Sequence, residues 1–210
     1  KAENFIKEIL MGDLGASYVV VGEDNRFGFE RKGTPKLLEE FGSKYGFQVE
    51  ILSKEMDGRR KISSTFIREE LKKGNMEKVN DLLGIPFFVD GVIEHGRGMG
   101  HKVLLPTTNI VPAKEKLMPP NGVYDTVSHF KDRTLCGITN VGYKPTIGEK
   151  FLGVETYLFD CEEDLYGEPC RVEFFHYSRP EKRFSSIEAL KQQLLKDAEK
   201  GKAYFRSLEK

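Results

Sequence analysis

The chain has 210 residues, 39% of them hydrophobic and 11% aromatic, which is enough for one large or two small units with real cores and excludes a disordered chain. Its 33 Lys and Arg balance 33 Asp and Glu, a zero net charge that argues against a dedicated nucleic-acid or anionic-membrane surface. No apolar run approaches the about 20 residues of a membrane span, and the opening KAENFIKEIL lacks the apolar core and cleavage site of a signal peptide, so a cytoplasmic location is expected.

Residues 1–84 read as alternating helix and strand. A short helix is expected over Glu3 to Leu10, then a β-branched strand from Tyr18 to Val21 that stops at Gly22. Thr34 and Pro35 form a helix start, a capping hydroxyl followed by proline at the first helical position. Leu37, Leu38, Phe41 and Tyr45 continue at helical spacing, and Gly46 supplies the stop. Phe47 to Leu52 is then a strand, which makes a βαβ unit with a parallel sheet. Two further helices are expected, about Thr65 to Lys73 and Met76 to Leu83.

After Gly84, Ile85 and Pro86 the period changes. Phe87–Glu94, Val123–His129, Leu135–Val141, Val154–Asp160 and Arg171–Tyr177 read as short strands separated by Gly, Pro and Asn. This pattern suggests a small antiparallel barrel closed by a late helix. Ser185 and Glu188 have capping-box spacing, and Ile187, Leu190, Leu194, Leu195 and Ala198 form the helix's apolar stripe. Cys136, Cys161 and Cys170 lack metal-ligand spacing and read as small buried thiols in a reducing compartment.

Three segments carry candidate chemistry. Gly96, Gly98 and Gly100 alternate after a strand and precede Lys102, a pattern that suits either a phosphate cradle or a glycine-rich hairpin turn. Pro106, Thr107, Thr108 and Asn109 offer hard oxygen ligands for Mg2+, or make an ordinary Pro-led turn. Glu155 shares a strand face with Tyr157 and Phe159, as a general base beside a flat ligand or as a paired structural charge.

Five blocks, HGRGMGHKVLLPTTNI, PPNGVYDTV, GITNVGYKPTIG, GVETYLFDCEEDLYGE and FHYSRPEKRFSSIEALKQQLLKD, closely resemble the riboflavin kinase family in order and spacing. The resemblance implies a six-stranded antiparallel barrel with a C-terminal helix that moves phosphate from ATP to riboflavin and makes FMN with Mg2+. It implies that Gly96, Gly98, Gly100 and Lys102 lie on ATP, that Thr107 and Asn109 hold Mg2+ and the nucleotide, and that Glu155 is the base. It also implies that Arg179, Lys182 and Phe184 close over the flavin. His101 to Leu105 depart from the family's Arg-x-Leu-Gly-Phe.

VVVGEDNRFGFERKG, GRRKISSTFIREEL and KVNDLLG resemble the later part of the bacterial FMN adenylyltransferase domain that precedes the kinase in bifunctional FAD synthetases. Ser64, Thr65 and Arg68 match its ATP-phosphate motif, and hydroxyls with free N–H groups at a helix start do suit an anion. That family's Gly-rich opening motif does not occur in this sequence, so FMN adenylylation is expected to be inactive in this chain. The expected organisation is α+β: a partial Rossmann-like α/β segment over 1–84, then the barrel over 85–210. Two other readings stay open: a catalytically inactive flavin-binding or regulatory module, and a barrel for single-stranded nucleic acid, which zero net charge and the lack of Trp disfavour.

Overall fold

The computed structural model describes residues 1–94, 107–145, 150–161 and 163–208. They fall into two compact units, Lys1–Ile62 and Ser63–Lys210.

In the first unit, a helix opens over Ala2–Asn4 (α1) and continues as a π-helical segment over Phe5–Asp13. Strand β1 (Tyr18–Gly22), helix α2 (Pro35–Tyr45) and strand β2 (Gln48–Leu52) then form the expected βαβ unit, with β1 and β2 parallel. Local chemistry sets the helix bounds. The Thr34 hydroxyl accepts from the Leu37 N–H at 3.2 Å, Pro35 is in the first turn, and Gly46 ends the helix at φ 82°. Ile6, Val21, Leu38 and Phe47 are the buried centre of this unit. Strands β3 (Met56–Asp57) and β4 (Arg60–Lys61) make a short hairpin.

The second unit begins with helices α3 (Ser64–Lys73) and α4 (Met76–Leu83). Leu71, Met76 and Val79 belong to the same buried core as the barrel strands. Asn80 splices α4 to that sheet: its Nδ2 donates to the Phe174 carbonyl and its Oδ1 accepts from the Phe87 N–H, both at 2.8 Å.

Strands β5 (Phe87–Val92), β6 (Thr107–Ile110), β7 (Gly122–His129), β8 (Thr134–Pro145), β9 (Lys150–Leu158) and β10 (Pro169–Arg179) form one antiparallel sheet in the order β5-β10-β7-β8-β9-β6. The sheet curls until its edges meet, where the Glu94 N–H donates to the Asn109 carbonyl at 2.8 Å. Inside it, Val89, Ile110, Tyr124, Val141, Val154, Val172 and Phe174 are almost completely buried. Three threonine hydroxyls cross that interior as a ladder, Thr126 to Thr139 at 2.7 Å and Thr139 to Thr156 at 2.8 Å, so these buried polar groups are satisfied. All three cysteines are free thiols; Cys170 is buried and burial pushes it up to about 11, while Cys136 and Cys161 are half-buried.

Helix α5 (Ile187–Leu208) covers part of the outer face. Its cap is Ser186, whose Oγ accepts from the Ala189 N–H at 3.1 Å, rather than the expected Ser185. The stripe also differs. Leu194, Ala198 and Phe205 pack on the sheet with Asp197 and Gly201 buried among them, whereas Ile187 and Leu195 are 50% and 45% exposed. Ile187 sits in the first turn, and Leu195 falls off the face defined by 194, 198, 201 and 205.

Under α5 lies Asp125, 2% exposed. Its Oδ2 accepts from Ser178 Oγ at 2.8 Å, and Oδ1 has no hydrogen-bond partner among the described residues. The helix comes this close because residue 201 is glycine: a Cβ there would stand 2.8 Å from Asp125 Oδ1. Burial pushes the Asp125 carboxyl above its ordinary range, opposed by the Ser178 hydrogen bond. A folded value above the unfolded one means that the native state binds more protons between the two, so this group's contribution to stability falls as pH rises. Asp125→Asn removes the charge. Its stability relative to wild type is expected to rise as pH increases from about 4 through the raised value and then level off. Urea midpoints across that pH series check this, and a difference that stays constant with pH would show that Asp125 is not ionising in place.

Candidate active site

Strand pairing assembles the site. Asn109, Glu155, Asn140, Val123 and Arg179 stand opposite one another in register across β6, β9, β8, β7 and β10. Directly paired residues point to the same face of a sheet. Their neighbours Val154, Tyr124 and Ile110 face the barrel core, so this row lies on the outer face, next to the patch that α5 covers. Tyr157 and Phe159 share that face with Glu155, as the strand period implies.

Glu155 is the middle of the polar part of the row. Thr107, one residue pair along β6, donates from Oγ1 to Glu155 Oε1 at 3.0 Å. The amides of Asn109 and Asn140 flank the carboxylate on the two neighbouring strands, at cross-strand spacings of about 5 Å. Asn109 is 9% exposed, and its backbone is tied to Glu94 at the closing bridge. Thr107, Asn109 and Glu155 thus form a cluster of hard oxygen atoms, a donor set that fits a small divalent cation whose other ligands are water and phosphate.

At the far end of the row, Arg179 is committed to α5. Its Nε donates to both oxygens of Asp197 at 3.1 and 2.9 Å, and Nη2 donates to Oδ2 at 2.6 Å. Gln193 adds a fourth bond to Asp197, at 2.7 Å. The pair fixes the point where the chain leaves β10 for Lys182, which is exposed, and Phe184, which is half-buried. Gly96, Gly98, Gly100 and Lys102 lie outside the described residues.

Ser64, Thr65 and Arg68 are exposed at the start of α3. The capping hydroxyl is the preceding Ser63, which accepts from the Phe66 N–H at 3.3 Å. Three residues of this region escape a reading of the sequence alone. Asn140 sat inside a matched block, and only its strand parity marks it as a neighbour of Glu155. Glu181 and Asp197 also sat inside a matched block, which gave neither of them a role.

The described residues thus form a curled antiparallel barrel that carries a carboxylate among hard oxygen and amide groups on its outer face. Residues 83–205 match the family model described as riboflavin kinase, and residues 1–66 match the one described as FAD synthetase. The chain belongs to the riboflavin kinase family. It is 35% identical over 205 residues to the bifunctional riboflavin kinase/FMN adenylyltransferase of Escherichia coli strain K12, covering 97% of this chain and 65% of that protein. It is 34% identical over 212 residues to the protein of that name from Bacillus subtilis strain 168, covering 99% of this chain and 66% of that one. The chain therefore spans about two thirds of the length of these relatives. A crystal structure titled as a macrolide-efflux protein from Streptococcus pneumoniae superposes with a TM-score of 0.80 at 30% identity, covering 93% of this chain and 62% of the other. No helix among the described residues is long and apolar enough to cross a membrane.

Proposed function

We propose that this chain phosphorylates riboflavin to FMN with ATP and Mg2+. The observation that carries the reading is the Thr107–Glu155 hydrogen bond at 3.0 Å, which holds a carboxylate between Asn109 and Asn140 on one face of the barrel. Thr107 donates its proton to Glu155, so the lone pairs of its oxygen are left for a cation. With the Asn109 side-chain oxygen they supply hard ligands at the same end of β6. Bound Mg2+ would neutralise phosphate charge.

Glu155 is the general base. It takes the proton of riboflavin's terminal ribityl hydroxyl as that oxygen attacks the γ-phosphorus of ATP, the bond to the bridging oxygen breaks, and ADP leaves. Gly96, Gly98, Gly100 and Lys102 are assigned to the ATP phosphates. Arg179, Lys182 and Phe184 belong to the segment assigned to close over the flavin; Asp197 holds the Arg179 guanidinium, and that pair sets the segment's starting point. The family division is placed at 84/85, supported by the matched ranges, although α3 and α4 pack with the barrel. Ser64, Thr65 and Arg68 are assigned to an adenylyltransferase phosphate site of a longer bifunctional protein; adenylylation of FMN is not proposed for these 210 residues alone. Incubation with riboflavin, ATP and Mg2+, followed by chromatographic separation of the flavins, is expected to yield FMN. Folded protein that leaves riboflavin unchanged with several nucleotides would overturn the reading.

A further inference from the structure

One row further along β8 and β9 from Asn140 and Glu155, Gly142 pairs with Gly153. Both glycines lie on the outer face, about 7 Å from Glu155 at the rise of a strand, and both are buried. Two side chains converge above Gly142. A Cβ on Gly142 would lie 2.1 Å from Glu181 Oε1 and 3.3 Å from Asn140 Nδ2. Any side chain at residue 142 would therefore evict the carboxylate, and glycine is what lets Glu181 lean over the sheet. Its other oxygen, Oε2, accepts from Asn121 Nδ2 at 3.1 Å. The backbone entering Glu181 is fixed by the Arg179–Asp197 pair two residues earlier.

We infer that Glu181 is a specificity-determining residue, which accepts hydrogen bonds from the hydroxyls of a polyol chain laid alongside Glu181 and Asn140. This rests on the kinase reading and deepens it. A carboxylate only accepts, and the Asn140 amide nitrogen only donates. Side by side over one glycine, the two match a hydroxyl, which does both. Glu155 is the cross-strand neighbour of Asn140, so a chain held by Asn140 and Glu181 delivers its terminal hydroxyl to the base. Glu181 is held by Asn121 before any ligand arrives, so little order is lost when a hydroxyl binds.

The test compares riboflavin with lumiflavin, the same ring system without the polyol, for wild type and Glu181→Gln, reading affinity by flavin fluorescence and turnover by FMN formation. Hydrogen bonds to a charged group set the expected size: Glu181→Gln binds riboflavin about tenfold to a hundredfold more weakly. Its KM for riboflavin rises while kcat falls far less, and lumiflavin affinity stays within about twofold of wild type. Glu181 is exposed, so the substitution leaves the fold intact. Equal weakening of both flavins would make Glu181 a structural tie for its loop, and no weakening of either would remove it from the site. Both outcomes, with wild-type turnover present, sink this assignment alone. A wild type without turnover sinks the kinase reading and this assignment with it.

Discussion

Glu155→Gln is expected to lose about 10²- to 10⁴-fold in turnover, the usual cost of removing a general base. The substitution keeps the shape of the side chain, and its carbonyl oxygen can still accept from Thr107, 3.0 Å away in the native protein. Asn109 and Asn140 keep their register on the flanking strands. What disappears is the capacity to take a proton. Riboflavin and nucleotide binding are therefore expected to persist, measured by flavin fluorescence and nucleotide titration, while FMN formation falls. Near-native turnover would show that the carboxylate serves only to anchor Thr107.

The second large effect is on stability. The Asp197 side chain is 3% exposed and that of Arg179 13%, so the pair is shielded from solvent. Removing one partner of a buried pair costs about 3–5 kcal/mol, because the remaining charge stays buried without compensation. Asp197→Ala strands the Arg179 guanidinium and also takes away the acceptor of Gln193. With urea slopes of about 1–3 kcal/mol per molar, the unfolding midpoint is expected to drop by more than about 1 M. Tyrosine fluorescence reports the transition, since the chain has eight Tyr and no Trp. An unchanged midpoint would mean that Arg179 swings to water or to another acceptor at no cost.

How much of this was legible in the sequence depends on the range of the interactions involved. Helix α2 was readable almost to the residue, because Thr34, Pro35 and Gly46 act through local backbone chemistry. Five barrel strands followed from alternation and their Gly, Pro and Asn boundaries. Strand β6 did not, since four polar-rich residues after a proline read as a turn, and only pairing with β9 makes them a strand. The same pairing brings Thr107 to Glu155, a contact that local sequence does not mark. The family resemblance located Thr107, Asn109 and Glu155. It was silent on Asn140 and Glu181, whose roles follow from cross-strand register and from a glycine far away in the chain. On α5, apolar periodicity placed the helix but misjudged its inward face, where a buried ion pair and Gly201 take positions that a hydrophobic stripe does not mark.

The closing bridge of the barrel has a consequence for dynamics. Among the described residues, the seam between β5 and β6 is carried by the single Glu94–Asn109 pairing, whereas every other junction of the sheet is a run of paired residues. Segments with few backbone bonds are the first to open in native-state fluctuations. Among the described residues that seam runs through Asn109, the neighbour of Glu155 on β6. Asn109 thus belongs to two junctions at once: its backbone carbonyl accepts from Glu94 across the seam, and its strand pairs with Glu155 on β9, so opening of that bridge is expected to displace the immediate neighbour of the carboxylate.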